Sequence, residues 1–185
     1  MAKQLSHIIY KIIFFIDILF YKITKRRILV WFSEFIENDS YKKIKILNKD
    51  VTFFAPNYIT NYLIDTFFEK EPETLEWIDS FDNENKIIFW DIGANIGLYS
   101  IYAALKHSNI EVVSFEPSSS NLRILSRNIS INQLERKIKI NQFALTKEQN
   151  KYQIMREKDF MEGVGENVFG VDYNWQGEKF KPKNN

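Results

Sequence analysis

The sequence predicts an α/β fold built on an open parallel sheet, and three features of one stretch indicate it. An apolar run of strand length begins at Ile87 and reaches a carboxylate at Asp91. Two glycines, Gly93 and Gly97, then turn the chain. An amphipathic helix is predicted from Leu98 to Lys106. A strand, a glycine turn and a helix in that order are typical of the nucleotide-binding edge of an α/β sheet.

The glycine spacing restricts the ligand. The dinucleotide fingerprint G-x-G-x-x-G fails, because Asn95 and Leu98 stand where its second and third glycines belong. The phosphate-binding P-loop also fails, since no Gly-Lys-Ser/Thr follows Gly97. A carboxylate at Asp91 would repel phosphate but could pair with an ammonium group. The turn therefore favours a ligand with an amino-acid end, although Asp91 could instead cap the backbone of its own turn.

A second acidic residue follows the next predicted strand, residues 111–115. Glu116 lies 25 residues after Asp91, and Pro117 ends the strand. An acidic residue at this position is placed to accept hydrogen bonds from ribose hydroxyls. Such bonds to a charged acceptor are worth roughly 1.5–3 kcal/mol each. We expect Glu116 to hold a nucleoside. Asn121, in the first turn of the following helix, is equally suited to capping and to a ligand contact.

Together these motifs resemble the FkbM-type S-adenosylmethionine-dependent methyltransferases. The resemblance rests on the sequence DIGANIGLYS from Asp91, on Phe115-Glu116-Pro117 with Asn121, and on Ala144-Leu145 after a third strand. Upstream, Glu71-Pro72-Glu73-Thr74 with Trp77-Ile78 resembles the family's approach to the first strand. The similarity runs from about residue 51 to the C-terminus.

The resemblance implies a partial class I methyltransferase (Rossmann-like) sheet and S-adenosyl-L-methionine as the cofactor. It implies methyl transfer to a hydroxyl of a glycan, a glycolipid or a related natural product, and no catalytic base can be assigned. The cofactor-binding residues it implies are Asp91, Gly93, Ala94, Asn95, Gly97, Glu116, Pro117, Asn121 and Ala144.

Only part of that sheet is predicted. A complete class I sheet has seven strands in the order 3-2-1-4-5-7-6, and this sequence supplies strands 3-2-1. The first strand should therefore lie at an unpaired edge. We expect a truncated chain, or one half of a split enzyme whose partner subunit supplies the missing strands. The alternative is a non-catalytic remnant that binds a partner or a membrane surface.

Composition excludes several functions. With 25 basic and 24 acidic residues the formal charge is +1, so no electrostatic footprint for nucleic acid is present. The absence of cysteine excludes a disulfide scaffold and a cysteine-ligated metal site. His7 and His107 are far apart in sequence, and we expect no metal. We expect a cytoplasmic protein, with peripheral contact at the inner membrane face as an alternative.

Residues 1–81 are predicted to form a helical and hairpin cap, and residues 82–185 an incomplete cofactor-binding domain. The apolar run 8–23 is interrupted by Lys11, Asp17 and Lys22, which argues against a membrane span. We expect this helix to pack on the domain or on a second subunit. The alternative is a helix over residues 5–27 that lies in a membrane interface, helped by the basic run Lys25-Arg26-Arg27.

The remaining elements follow from periodicity and turn residues. Residues 41–54 predict a β-hairpin with its turn at Asn48-Lys49-Asp50. Glu71 and Pro72 are predicted to end one helix and begin the next, because proline suits the first helical turn. We expect Glu71 to be an exposed residue at the start of the second helix. The alternative is that Glu71 contacts the amino group of the cofactor. A serine-capped helix follows Glu116, and Ile138, Ile140 and Phe143 predict the third strand. Residues 152–155 predict a short strand, and residues 161–167 a glycine-bearing loop.

Overall fold

The computed structural model describes residues 1–145, 155–157, 160–165, 168–171, 173 and 176–179. The chain forms two compact units, Met1–Tyr41 and Lys42–Asn185. The domain boundary after residue 81 stays a prediction.

The first unit is a pair of helices, α1 (Ala2–Thr24) and α2 (Leu29–Asp39). Asp17 of α1 is fully buried, and its Oδ1 accepts hydrogen bonds from the main-chain N–H groups of Ile28 (2.7 Å) and Leu29 (3.2 Å). Its carboxylate also pairs with Arg27. Asp17 therefore caps the start of α2 from a distance of eleven residues. Among the described residues, no helix combines the length and the apolar character needed to cross a membrane.

A hairpin of β1 (Tyr41–Ile46) and β2 (Lys49–Phe54) follows, and all of it except Tyr41 belongs to the second unit. Its turn lies at Leu47 and Asn48, whose φ angles are 50° and 63°. The hairpin predicted over residues 41–54 is confirmed, but the turn predicted at Asn48-Lys49-Asp50 is misplaced, because Lys49 and Asp50 already belong to β2. Two residues with positive φ give a turn whose twist matches that of the strands, which is why the shorter turn is preferred.

Three short helices follow, α3 (Tyr58–Asp65), α4 (Phe67–Lys70) and α5 (Pro72–Asp79). Asn57 caps α3 by accepting hydrogen bonds from the main-chain N–H groups of Ile59 and Thr60. Pro72 occupies the first turn of α5, where its missing N–H costs nothing, as predicted.

A three-stranded parallel sheet forms the centre of this unit, and it confirms the predicted α/β class. The elements run β3 (Ile87–Ile92), α6 (Leu98–Lys106), β4 (Ile110–Phe115), α7 (Ser119–Ile131) and β5 (Ile138–Asn141). The strand order is β3-β4-β5, and Asp91 lies opposite Ser114. The helix predicted at Leu98–Lys106 is confirmed. Phe143, expected in the third strand, lies beyond β5.

A short antiparallel pair, β6 (Met155–Arg156) and β7 (Val168–Phe169), completes the described elements. Of the strand predicted at 152–155, only Met155 is described, and it begins β6; residues 152–154 lie outside the described residues.

The two faces of the parallel sheet differ in burial. One face, with Phe89 and Val112, packs against a core that includes Ile101 of α6 and Leu125 of α7. On the other face of β3, the side chains of Ile88, Trp90 and Ile92 are 62%, 57% and 63% exposed. Within the described chain β3 pairs with β4 alone, so the predicted edge position of this strand is confirmed.

Candidate functional site

The glycine turn between β3 and α6 lies against the end of β4. The main-chain N–H groups of Gly93 and Ala94 both donate to the carbonyl oxygen of Phe115, at 2.8 and 3.0 Å. Gly97 has φ 89°, and a Cβ atom there would lie 2.5 Å from Cδ1 of Leu125. Any other residue at position 97 would be strained by this positive φ angle and would require the Leu125 side chain to shift. The sequence thus fixes both the conformation and the close packing of the turn.

Asp91 lies at the end of β3 and is 8% exposed. Its Oδ2 accepts a 2.5 Å hydrogen bond from Ser100 Oγ, which lies 2.7 Å from Ser114 Oγ. Burial raises the pKa of the Asp91 carboxyl, although the hydrogen bonds from Ser100 act in the opposite direction. No ion pair to Asp91 occurs among the described residues. Within the part of the chain that the structure describes, the site therefore holds a buried carboxyl group without a cationic partner.

A cavity of about 330 Å³ opens beside Asp91. Its wall includes Glu71, whose Oε2 accepts a 3.0 Å hydrogen bond from the Tyr99 hydroxyl. Burial and the neighbouring Glu71 carboxylate raise the pKa of Tyr99, so the phenol stays protonated and continues to donate. Glu71 is thus half-buried in the cavity wall, and the expectation of an exposed helix-start residue is wrong. The lining residues are Leu63, Phe67, Lys70, Glu71, Thr74, Asp91, Ile92, Gly93, Ala94, Asn95, Ile96, Leu98 and Tyr99.

Glu116 holds the glycine turn to the end of β4. Its Oε2 accepts from the main-chain N–H of Asn95 (2.7 Å), and its Oε1 from that of Ser118 (2.8 Å). Glu116 is 4% exposed, and burial raises the pKa of its carboxyl despite these hydrogen bonds. The negative charge of nearby Asp91 raises it further. Both oxygens are therefore already engaged by the protein's own backbone.

Residues 161–165, here called the covering segment, lie over this end of the site. Asn121 Oδ1 accepts from the main-chain N–H of Gly163 (2.8 Å), and its Nδ2 donates to the carbonyl of Val164 (3.0 Å). Asn95 Nδ2 donates to the carbonyl of Gly163 (3.0 Å), while its buried Oδ1 accepts no hydrogen bond from the described residues. The covering segment is thus held by hydrogen bonds to the side-chain amides of Asn95 and Asn121.

The predicted site residues divide into two groups. Asp91, Gly93, Ala94 and Asn95 line the cavity. The others do not line it: they are Gly97, Glu116, Pro117, Asn121 and Ala144, of which Glu116 binds the main chain of Asn95, Asn121 binds the covering segment and Ala144 follows β5.

Two contributors to the site were missed by sequence reasoning. Tyr99 lies within the DIGANIGLYS motif, but no role was predicted for it; a tyrosine in the first turn of the helix, next to the glycine turn, is the signal that could have found it. Asn128 is fully buried, accepts from the main-chain N–H of Phe54 (2.8 Å) and donates to the carbonyl of Ile96 (2.9 Å). It joins the hairpin to the glycine turn, and no local pattern reveals that contact across 74 residues.

Comparison with known proteins gives partial matches. No family model matches the sequence. The chain is 43% identical over 42 residues to Methyltransferase sdnD of Sordaria araneosa, a match that covers 23% of this chain and 16% of that protein. Among solved structures it is similar to the SAM-dependent methyltransferase of Agrobacterium tumefaciens, with a TM-score of 0.42, 13% identity and coverage of 56% of this chain and 32% of the other. It is also similar to the StiE O-MT, with a TM-score of 0.35, 13% identity and coverage of 48% and 35%. The chain thus spans about a third of these structures and a sixth of the curated relative.

Proposed function

We propose that this chain binds S-adenosylmethionine and forms the methyl-donor half of a methyltransferase of FkbM type. The observation that carries the proposal is Asp91, a buried carboxylate at the end of a β-strand that has no cationic partner among the described residues and opens onto a cavity. A buried charge is costly unless it is paired. A cationic ligand would supply the missing partner, and S-adenosylmethionine carries both an ammonium and a sulfonium group.

The cavity fits the amino-acid end of that cofactor. Glu71 and Asp91 give its wall two carboxylates, and Lys70 supplies one basic side chain. The two carboxylates suit an ammonium group, and the lysine suits a carboxylate. At about 330 Å³ the cavity lies at the lower end of the range of roughly 300–1,000 Å³ for small-molecule sites.

The nucleoside end of S-adenosylmethionine can reach its proposed residues only if the covering segment moves. Glu116 and Asn121 are the residues proposed to hold the ribose and adenine side; both are buried, and the side chain of Asn121 is hydrogen-bonded to Gly163 and Val164 of the covering segment. A carboxylate oxygen that accepts one backbone N–H retains a second lone pair, so Glu116 keeps the capacity to accept from a hydroxyl. We therefore assign Glu116 to the ribose in a state in which the covering segment is displaced.

The cofactor, when bound, supplies an electrophilic methyl group. The residues of this chain bind and orient it: Asp91 and Glu71 at the ammonium, Glu116 at the ribose, and the Gly93 turn between them. The proposed acceptor is a hydroxyl of a glycan, a glycolipid or a related natural product, in keeping with the family resemblance. The exposed side chains of Ile88, Trp90 and Ile92 support the view that further polypeptide, such as a partner subunit, covers this side of the sheet and completes the acceptor pocket.

Calorimetric titration of the full chain with three ligands tests the proposal. We expect micromolar affinity for S-adenosylmethionine, and at least tenfold weaker binding of methylthioadenosine, which lacks the amino-acid end. NAD should give no heat, because the glycine spacing does not suit a pyrophosphate. Equal affinity for the first two ligands would remove Asp91 and Glu71 from the site. Absence of binding by S-adenosylmethionine would overturn the proposal.

A further inference from the structure

Helix α1 presents a wide apolar surface to solvent. At 3.6 residues per turn, ten of its apolar side chains fall within one arc of about 160°. Nine of these ten are at least 39% exposed, although side chains of this kind are normally buried. The arc consists of Leu5, Ile8, Ile9, Ile12, Ile13, Phe15, Ile16, Leu19, Phe20 and Ile23.

The opposite side of α1 carries the basic residues of the helix, interspersed with Tyr10, Phe14, Ile18 and Tyr21. Lys3, Lys11 and Lys22 face the same side of the helix by the same geometry, and His7 faces that side as well. The turn that follows adds Lys25, Arg26 and Arg27. The only acidic residue in this stretch, Asp17, is buried and paired with Arg27. A helix with an exposed apolar face, a basic polar face and a basic end has the pattern of helices that lie in a membrane interface.

Charge is segregated along the chain. Residues 1–28 contain six basic residues and one acidic residue, whereas residues 29–185 contain nineteen basic and twenty-three acidic residues. A negatively charged surface would therefore attract the first segment and repel the remainder. A second copy of this chain would place like charges against each other at the same segment, which disfavours self-association through it.

We propose that the two-helix unit Met1–Tyr41 docks on an anionic phospholipid surface through the apolar arc of α1, with Lys22, Lys25 and Arg26 reaching the lipid phosphates. The buried carboxylate of Asp17 fixes the start of α2 and holds the basic turn between the helices. Trp31 of α2, which is 60% exposed, and Tyr21 of α1, which is 44% exposed, are the aromatic types enriched at the level of the lipid headgroups. Anchoring of this kind would hold the cofactor-binding unit beside lipid-linked acceptors.

Vesicle sedimentation of the full chain tests this proposal. We expect the protein to sediment with vesicles of equal parts phosphatidylglycerol and phosphatidylcholine, and at least tenfold less with phosphatidylcholine alone. Raising the salt from roughly 0.1 M to about 1 M should weaken the first interaction, since the screening length falls about threefold. The double variant Lys22→Gln/Arg26→Gln should lower partitioning into the anionic vesicles at least tenfold.

A charge-matched pair of variants separates the apolar arc from simple electrostatics. Ile12→Glu/Ile16→Glu places two carboxylates in the arc, and Gln4→Glu/Ser6→Glu places two on the same helix outside it; all four positions are exposed. We expect the first variant to lose vesicle binding and the second to retain most of it. Equal binding by the two variants would overturn the proposal. A wild-type protein that does not bind vesicles but forms a dimer would also overturn the proposal if Ile12→Glu/Ile16→Glu dissociates that dimer. A second copy of the chain would then cover the apolar arc. Circular dichroism, with α-helix content equal to wild type, verifies that each variant is folded.

Discussion

The main-chain N–H of Asn95 donates a 2.7 Å hydrogen bond to the carboxylate of Glu116, across the gap between the turn after β3 and the end of β4. This bond makes the proposed ribose acceptor a structural residue as well, because the same carboxylate orients the turn that lines the cavity. Any test of Glu116 must therefore separate ligand affinity from folding.

Replacement Glu116→Gln achieves that separation. We expect S-adenosylmethionine affinity to fall about tenfold, because a charged acceptor is lost. The free energy of unfolding should fall by roughly 1–3 kcal/mol, since the new amide group faces a main-chain N–H of Asn95 or Ser118. Calorimetry and urea unfolding measure the two effects. Glu111→Gln, on the strand that precedes Glu116, is the control: Lys139 and Lys86 lower the pKa of Glu111 to about 2, and removal of this carboxylate should leave cofactor affinity unchanged. Equal affinity of Glu116→Gln and wild type would exclude the ribose role.

Asp91→Asn should stabilise the ligand-free protein while it weakens binding. The variant keeps an oxygen that can accept a hydrogen bond from Ser100, but it removes a buried charge. We therefore expect the free energy of unfolding to rise by roughly 1–3 kcal/mol at neutral pH. Because burial raises the pKa of Asp91 in the folded state, the wild-type protein regains this stability as the pH falls toward the ordinary value of 3.8. The difference in the free energy of unfolding between variant and wild type should therefore vanish near pH 4 and reach its full size above the raised pKa of Asp91.

Urea unfolding at both pH values, combined with calorimetry, measures these opposed effects. S-adenosylmethionine affinity of Asp91→Asn should fall at least tenfold as its ammonium loses a charged partner. Asp82→Asn removes an exposed carboxylate and should change neither quantity. A variant less stable than wild type at pH 7 would show that Asp91 has a counter-charge in the folded protein.

The Tyr99–Glu71 contact should matter for affinity rather than for stability. Tyr99→Phe removes the hydrogen bond that fixes Glu71 in the cavity wall, and we expect about tenfold weaker binding of S-adenosylmethionine. Tyr102→Phe on the same helix is the matched control. Its hydroxyl donates to Asp79 (2.8 Å), and burial together with Asp79 raises its pKa to about 12, but Tyr102 does not line the cavity. That variant should bind normally; a matching loss of affinity would assign both effects to general loosening of α6.

The covering segment should compete with the nucleoside. At Gly163 a Cβ atom would lie 2.9 Å from Cγ2 of Ile59, and the φ angle is +87°, so Gly163→Ala should lift residues 161–165 from the site. Affinity for S-adenosylmethionine should then rise, by about two- to tenfold, because the ligand no longer has to displace the segment. Gly177→Ala introduces the same positive-φ strain with nothing within 4 Å of the new Cβ atom, and should leave binding unchanged. Weaker binding by Gly163→Ala would mean that the segment contacts the ligand.

Local sequence patterns were sufficient to predict the parallel sheet and about half of the candidate site. The spacing around Gly93 and Gly97 predicted the turn and α6 to the residue, because a glycine start and a period of 3.6 are properties of a few neighbouring residues. Asp91 and Glu116 follow from the rule that parallel strands bring their carboxyl ends to one edge.

Other features depend on contacts between distant residues. The covering segment docks through Asn121 and Gly163, which are 42 residues apart, and the burial of Glu71 depends on Tyr99, 28 residues later. Helix α2 was not predicted, since its cap is supplied by Asp17 on the preceding helix rather than by a residue at its own start. The β1–β2 turn was misplaced because polar residues extend beyond it into β2.

The cap that Asp17 provides to α2 should respond to pH. Burial opposes ionisation, but the N–H groups of Leu29 and Ile28 and the Arg27 guanidinium outweigh it and hold the pKa of Asp17 below its ordinary value of 3.8. A lowered folded-state pKa means that the stabilisation is present above 3.8 and is lost as the pH falls through the folded value. Asp17→Ala should lower amide-exchange protection at Ile28 and Leu29 roughly tenfold at neutral pH, and Asp17→Asn, which keeps an acceptor oxygen, should lower it less. In the alanine variant this protection should no longer depend on acid pH; a wild-type profile that persists in Asp17→Ala would assign the pH dependence to another group.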